Sequence, residues 1–180
     1  MALVPVFDLD GTLIDSDEAL VGAFVALGVD RASVTFGHVL EAECERLGID
    51  VDAYLAVYDE DRSQPFAGVA AVVERLGRWA VCSNKHADSG RAELARLGWS
   101  PEVACFRDAF VGPKQLGPVL AALELGADQI VFVGDTAHDR ACAVEVGARF
   151  ALAGWNPRAE PEPGDLVLAR PDDVFDLLEP

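Results

Sequence analysis

Asp8 and Asp10 stand two residues apart in the string Asp8-Leu9-Asp10-Gly11-Thr12, directly after the apolar run Leu3–Phe7. Side chains alternate in direction along an extended segment, so two carboxylates at this spacing project from one face toward a common pocket. Crowded carboxylates repel, which pushes one pKa up, and a hard cation with oxygen ligands relieves the charged member. A solvated turn is the plain alternative, but a buried strand leads into this one, where idle carboxylates are costly to desolvate. A second acidic pair, Asp135 and Asp139, is separated by one helical turn, so both can face one ion. Ser83 and Asn84 fall at the entry to a helix, where hydroxyl, amide and backbone N–H donors and the helix dipole favour an anion. The same residues could simply cap that helix. Lys114 is one of only two lysines in the chain. Its ammonium near a carboxylate would lower that group's pKa and offset charge on a bound anion.

The elements that would position these groups alternate. Strands are expected at Leu3–Phe7, Arg78–Cys82, Val103–Phe106, Gln129–Val133, Arg149–Leu152 and Leu166–Leu168. Helices are expected at Ala67–Leu76, Ala87–Leu97, Gln115–Leu125, Ala137–Val146 and Asp172–Leu178, several of them ending at glycine. Continuous apolar strands, as opposed to alternating ones, suit a sheet covered on both faces. The repeated strand–helix order therefore predicts an α/β fold with a doubly wound parallel sheet. In such sheets, sites form beyond the carboxyl ends of the strands, where Asp8, Ser83, Lys114 and Asp135 all fall. Residues 15–66 interrupt the alternation with helices near 16–28, 32–47 and 51–62, a stretch too long for an ordinary connecting loop. The expected organisation is a core of 1–14 and 67–180 with residues 15–66 as an inserted helical cap.

With these motifs in order, the chain resembles the haloacid dehalogenase-like (HAD) hydrolase superfamily over nearly its whole length. The resemblance rests on DxDGTL at Asp8–Leu13, the Ser83-Asn84 pair after an apolar run, Lys114, and GDTxxD at Gly134–Asp139. The insertion point is similar to that of the phosphoglycolate phosphatase-like branch with a C1-type cap. The resemblance implies a Rossmann-like core of strand order 5-4-1-2-3, Mg²⁺ as cofactor, and an aspartyl-phosphate intermediate. Asp8 is then the nucleophile, and Asp10 protonates the leaving alcohol before deprotonating the attacking water. Thr12, Ser83, Asn84 and Lys114 would bind the phosphoryl group, although Thr12 could equally serve only a local turn. The metal would be held by Asp8, the main-chain carbonyl of Asp10 and Asp135, with Asp139 directly or one shell out. Haloacid dehalogenases lack the second aspartate because a halide needs no proton, so Asp10 points to phosphate ester cleavage. Phosphonoacetaldehyde hydrolases use a cap lysine, and residues 15–66 contain none.

The expected activity is hydrolysis of a small phosphorylated metabolite, with phosphoglycolate or a sugar phosphate as first candidates. A phosphoglucomutase-like phosphotransferase and a non-catalytic phospho-ligand or protein-binding module are the alternatives. Lys85, beside Ser83-Asn84, could be a surface lysine or part of the site. His38, His86 and His138 are not spaced as zinc ligands. Arg31, Arg46 and Arg62 are the cations of the helical insert, and Trp155 and Asn156 follow the last core strand.

Composition narrows the partners. In 180 residues the chain carries a net charge of −17, which disfavours phosphodiester backbones and anionic lipid. A bound divalent cation would still admit a small anion. Apolar residues make up 51%, enough for a sizeable core and against global disorder. Cys44, Cys82, Cys105 and Cys142 lack CxxC spacing and sit among apolar neighbours, as buried free thiols do. The N-terminus has no basic leader, and the longest apolar run, Ala19–Val29, is about half of what a membrane span needs. A cytoplasmic monomer or homodimer with no nucleic-acid or membrane partner is the expectation.

Overall fold

Val4-Pro5-Val6-Phe7 has no polar side chain, and all of it is buried as β1 (Val4–Phe7) in the computed structural model, which describes residues 3–36, 39–112 and 114–178. After β1 the chain runs through β2 (Ile14–Asp15), α1 (Asp17–Ala26), α2 (Leu40–Leu47), α3 (Val51–Val57) and β3 (Gln64–Pro65). It then alternates through α4 (Val69–Arg75), β4 (Ala80–Cys82), α5 (Ala87–Leu97), β5 (Val103–Cys105), α6 (Gly117–Leu123) and β6 (Ile130–Gly134). It closes with α7 (Ala137–Val146), β7 (Arg149–Ala153), β8 (Val167–Leu168) and α8 (Phe175–Leu178).

Six strands form one parallel sheet in the order β5-β4-β1-β6-β7-β8, the expected α/β arrangement with an added edge strand. β1 lies at the centre, with Val6 opposite Ala80 on one side and Phe132 on the other. The strands' two-residue period divides each apolar run between the faces. Phe7, Val81, Val131 and Val133 join Val69, Val72 and Val174 on one face. Val6, Ala80, Cys82, Ile130 and Phe132 join Leu116, Val119 and Ala143 on the other. Burial on both sides is why these strands read as unbroken hydrophobic runs. All four cysteines are buried and free.

The helical segment between β2 and β3 has a hydrophobic cluster of its own, built on Ala23, Phe24, Cys44 and Tyr54. The Phe24 and Tyr54 rings lie 4.5 Å apart. At its base β2 and β3 pair antiparallel, Ile14 opposite Pro65 and Asp15 opposite Gln64. Two residues per strand are too few to leave a periodic signal, so this pair was not anticipated.

The expected helix over 32–47 begins only at Leu40. Asp30 caps a short turn at Arg31–Ser33, and Val34 is extended. Thr35 N–H and Oγ donate to the Glu43 carboxylate at 2.6 and 3.0 Å. Two β-branched residues with poor helix propensity, plus a carboxylate that takes an amide from the segment, favour the extended path. The helix expected to reach Arg62 stops at Val57, because Asp59 caps a separate turn at Glu60–Arg62. The final helix is likewise divided, into a turn at Pro171–Val174 and the short α8. No helix among the described residues is long and apolar enough to cross a membrane.

Candidate active site

β1 ends by delivering Asp8 to the carboxyl edge of the sheet, where its N–H donates to the Val133 carbonyl at 2.9 Å. The chain then turns sharply: the Leu9 carbonyl accepts from the N–H groups of Leu13 and Ile14 at 2.9 and 3.0 Å. Gly11 makes that turn possible. Its φ is +77°, and a Cβ there would collide with the Asp135 carboxylate. Asp8 Oδ1 accepts from Leu9 N–H at 2.7 Å, and Oδ2 lies 2.9 Å from Lys114 Nζ.

Asp135 follows β6, the strand beside β1. Its Oδ1 accepts from Thr12 Oγ1 at 3.2 Å and its Oδ2 from Asn156 Nδ2 at 2.9 Å. Asp139 sits in the first turn of α7, where a capping box holds it. Its Oδ2 accepts from Thr136 Oγ1 and N–H at 2.6 and 3.0 Å, and its N–H donates to Thr136 Oγ1. Its other oxygen is bonded to Lys114. Asp8, Asp135 and Asp139 are all buried, and each offers an oxygen within 4.8 Å of the others.

Three buried carboxylates thus face one ammonium. Burial, aided by the charges of Asp139 and Asp135, pushes the Asp8 carboxyl up to about 7 against the pull of Lys114. Burial and then Asp139 push Asp135 up to about 6. For Asp139 burial is outweighed by Lys114 and the Thr136 cap, and its pKa is lowered. Lys114 loses stability as a cation by burial, but Asp139 and Asp8 more than compensate and hold its pKa above the usual range. Asp139 and Asp8 share the one ammonium of Lys114, so the three carboxylates carry more negative charge than it can match. An all-oxygen, carboxylate-rich donor set of this kind fits a hard divalent ion, which would return Asp8 and Asp135 to their ionised form.

Asp10 stands apart from this cluster. Its Oδ1 is 2.8 Å from Lys85 Nζ, so its side chain is ion-paired elsewhere, and the main-chain carbonyl is what remains for the metal role expected of it. Lys85, left open between surface and site, is buried. Its Nζ also contacts Tyr58 Oη at 2.9 Å and Glu93 Oε2 at 3.2 Å. Ser83 is 2% exposed at the end of β4, and its Oγ accepts from Lys85 N–H at 3.3 Å. The position before α5 belongs to His86, whose side chain makes no capping bond, so neither Ser83 nor Asn84 is spent as the cap. Asn84 Oδ1 is buried with no partner among the described residues.

A cavity of about 130 Å³ touches Asp8, Asp10, Ser83, Asn84, Lys114 and Asp135, so distant stretches of chain share one wall. Thr12, expected among the phosphoryl donors, is fully buried and does not line the cavity, because its hydroxyl is spent on Asp135. His86 and His138 also line the cavity, whereas Arg31, Arg46 and Arg62 do not; His38 lies outside the described residues. Sequence reasoning missed the work of two residues it had only noted. Asn156 Nδ2 bridges the Gly11 carbonyl, at 2.8 Å, and Asp135, while Trp155 Nε1 donates to the Thr12 carbonyl at 2.8 Å. Tyr58 and Glu93, the partners of Lys85, carried no sequence signal.

The family model for haloacid dehalogenase-like hydrolases matches residues 6–153. The chain is 32% identical to the Dickeya dadantii protein named "Probable phosphatase IndB", over 83% of this chain and 80% of that one. It is 28% identical to a phosphoglycolate phosphatase of Aquifex aeolicus, over 98% of this chain and 96% of that one. A HAD-superfamily hydrolase of subfamily IA from Geobacter sulfurreducens shares the fold. It superposes with a TM-score of 0.79 at 20% identity, covering 99% of this chain and all of that one.

Proposed function

The chain belongs to the haloacid dehalogenase-like hydrolase family, and from that premise we propose that it is a Mg²⁺-dependent phosphatase that hydrolyses a small phosphomonoester through an aspartyl phosphate. The observation that carries this reading is the convergence of Asp8, Lys114 and Asp135 with Ser83 on one cavity. A nucleophile, a cation beside it, an acidic ligand pair and phosphate donors are what an in-line phosphoryl transfer requires.

Asp8 attacks phosphorus with a carboxylate oxygen while the bond from phosphorus to the alcohol oxygen breaks. Asp10, as the acid, gives that oxygen its proton. Lys85 holds Asp10 Oδ1, which leaves Oδ2 to carry the proton. A water then attacks phosphorus, Asp10 takes its proton, and the bond to Asp8 breaks to release phosphate, which restores Asp8 as a carboxylate and Asp10 as the protonated acid. Lys114 favours the ionised form of Asp8 and stabilises charge on the phosphoryl oxygens, with Ser83 and Asn84 as further donors. Bound at Asp8, Asp135 and the Asp10 carbonyl, with Asp139 behind them, Mg²⁺ would neutralise the charge of the nucleophile and the phosphate. Residues 15–66 act as the cap that covers the site, hinged where β2 and β3 pair.

The test is phosphate release from p-nitrophenyl phosphate with and without Mg²⁺, comparing wild type with Asp8→Asn. Turnover that needs the metal and disappears in the variant is expected. Equal metal-dependent turnover in the variant removes Asp8 as nucleophile. The Aquifex relative is named for phosphoglycolate, which makes that compound the reference substrate.

A further inference from the structure

Away from the carboxylates, the wall of the cavity changes character. Leu20 and Phe24 of α1, Leu40 of α2, and Tyr54 and Leu55 of α3 line it, together with Tyr58. Neither tyrosine offers a free hydroxyl: Tyr54 Oη donates to the Leu20 carbonyl at 3.2 Å, and Tyr58 Oη donates to Glu93 while accepting from Lys85. Their rings join the apolar part of the wall.

The cations are equally accounted for. Among the described residues of the helical insert, Arg31 is bonded to Glu18, and Arg46 to Glu43 and the Ser33 carbonyl; neither lines the cavity, nor does Arg62. Lys85, Lys114 and Arg158 do line it, but each is already ion-paired, Arg158 to Asp17 at 2.5 Å. Asp10 and Glu43 also line the wall, and each is matched by one of these cations, Lys85 and Arg46. Among the described residues, no lysine or arginine without an ion-pair partner lines this wall, so a second anionic group on the substrate would be desolvated against leucines and aromatic rings.

We propose that the alcohol portion of the substrate is uncharged and presents an apolar face, as in the phosphate ester of a primary alcohol bearing an aryl or branched alkyl group. It is seated against α1, α2 and α3. This rests on the phosphatase reading above and narrows it: a phosphorylated carboxylate such as phosphoglycolate is a poor fit for this chain.

Benzyl phosphate and phosphoglycolate both leave as primary alkoxides, so comparing kcat/KM for the two isolates the contribution of the pocket. A preference of about tenfold for benzyl phosphate is expected from burying the ring. Leu20→Ala and Leu55→Ala should each lower the benzyl phosphate value several-fold and leave methyl phosphate, which is too small to reach these side chains, unchanged. A benzyl preference below about threefold, or an equal loss on both esters in two variants that melt like wild type, overturns the proposal. If no ester is hydrolysed, p-nitrophenyl phosphate included, the phosphatase reading fails separately. Calorimetry with benzylphosphonate and phosphonoacetate then decides the pocket: about tenfold tighter binding of the former sustains it, and equal or reversed affinities overturn it.

Discussion

Replacing Asp8 with asparagine should make the metal-free protein more stable at pH 8, although it removes the proposed nucleophile. The reason lies in the buried charge. The Asp8 carboxyl is raised from 3.8 to about 7, so the folded state holds a proton that the unfolded chain has released between those values. Stability therefore falls as pH rises from about 4 to about 7 and stays low above it. The displacement of about three pH units corresponds to about 4 kcal/mol, at about 1.4 kcal/mol per unit. Asparagine resembles the protonated acid in shape but turns an amide toward Lys114, which costs about 2 kcal/mol. The net gain at pH 8 is about 2 kcal/mol, or about 4–8 °C in Tm for a chain of this size. At pH 5 most of the wild-type penalty is already relieved by protonation, and the gain should shrink to about zero. Thermal unfolding of both proteins in EDTA at the two pH values measures this. A variant that melts at or below wild type at pH 8, or that gains equally at both, refutes the electrostatic account. Mg²⁺ should raise the wild-type Tm more than the variant's, because it relieves the same penalty.

Other perturbations follow from the same geometry. Asp10→Asn should lower kcat for phosphate release by about 10²–10⁴-fold, the usual worth of a positioned acid–base group, with Tm little changed. Lys114→Met leaves Asp8 and Asp139 buried without their ammonium and should cost about 3–5 kcal/mol in urea unfolding at pH 8; a loss below about 1 kcal/mol would mean the cluster is hydrated. Gly11→Ala forces a side chain into left-handed backbone and into the Asp135 carboxylate. A stability loss above about 1 kcal/mol, together with weakened Mg²⁺ affinity by calorimetry, is expected.

The parallel α/β sheet was legible because its strands are buried on both faces. Val4–Phe7, Ala80–Cys82 and Ile130–Gly134 are unbroken apolar runs, and Gly98 and Gly147 end α5 and α7 in the left-handed conformation that glycine favours. Helices α5 and α7 fall where their residues alone place them. The insert was harder to read. Its helices are short, and their limits depend on pairings such as Thr35 with Glu43, which joins residues that local propensity treats independently.

What the sequence by itself determined is the set of chemical groups and the strand ends that carry them: Asp8, Ser83, Lys114 and Asp135 all fall where a parallel sheet opens to solvent. What only the tertiary structure decided is how charge is shared among them. Asp8 and Asp10 are near neighbours in sequence, yet one turns to Lys114 and the other to Lys85, 75 residues away. Asn156 reaches Asp135, and Tyr58 reaches Lys85, across gaps that no local pattern encodes. Spacing along the chain sets the direction of a side chain, but its partner is set by which buried groups must neutralise one another once water is excluded.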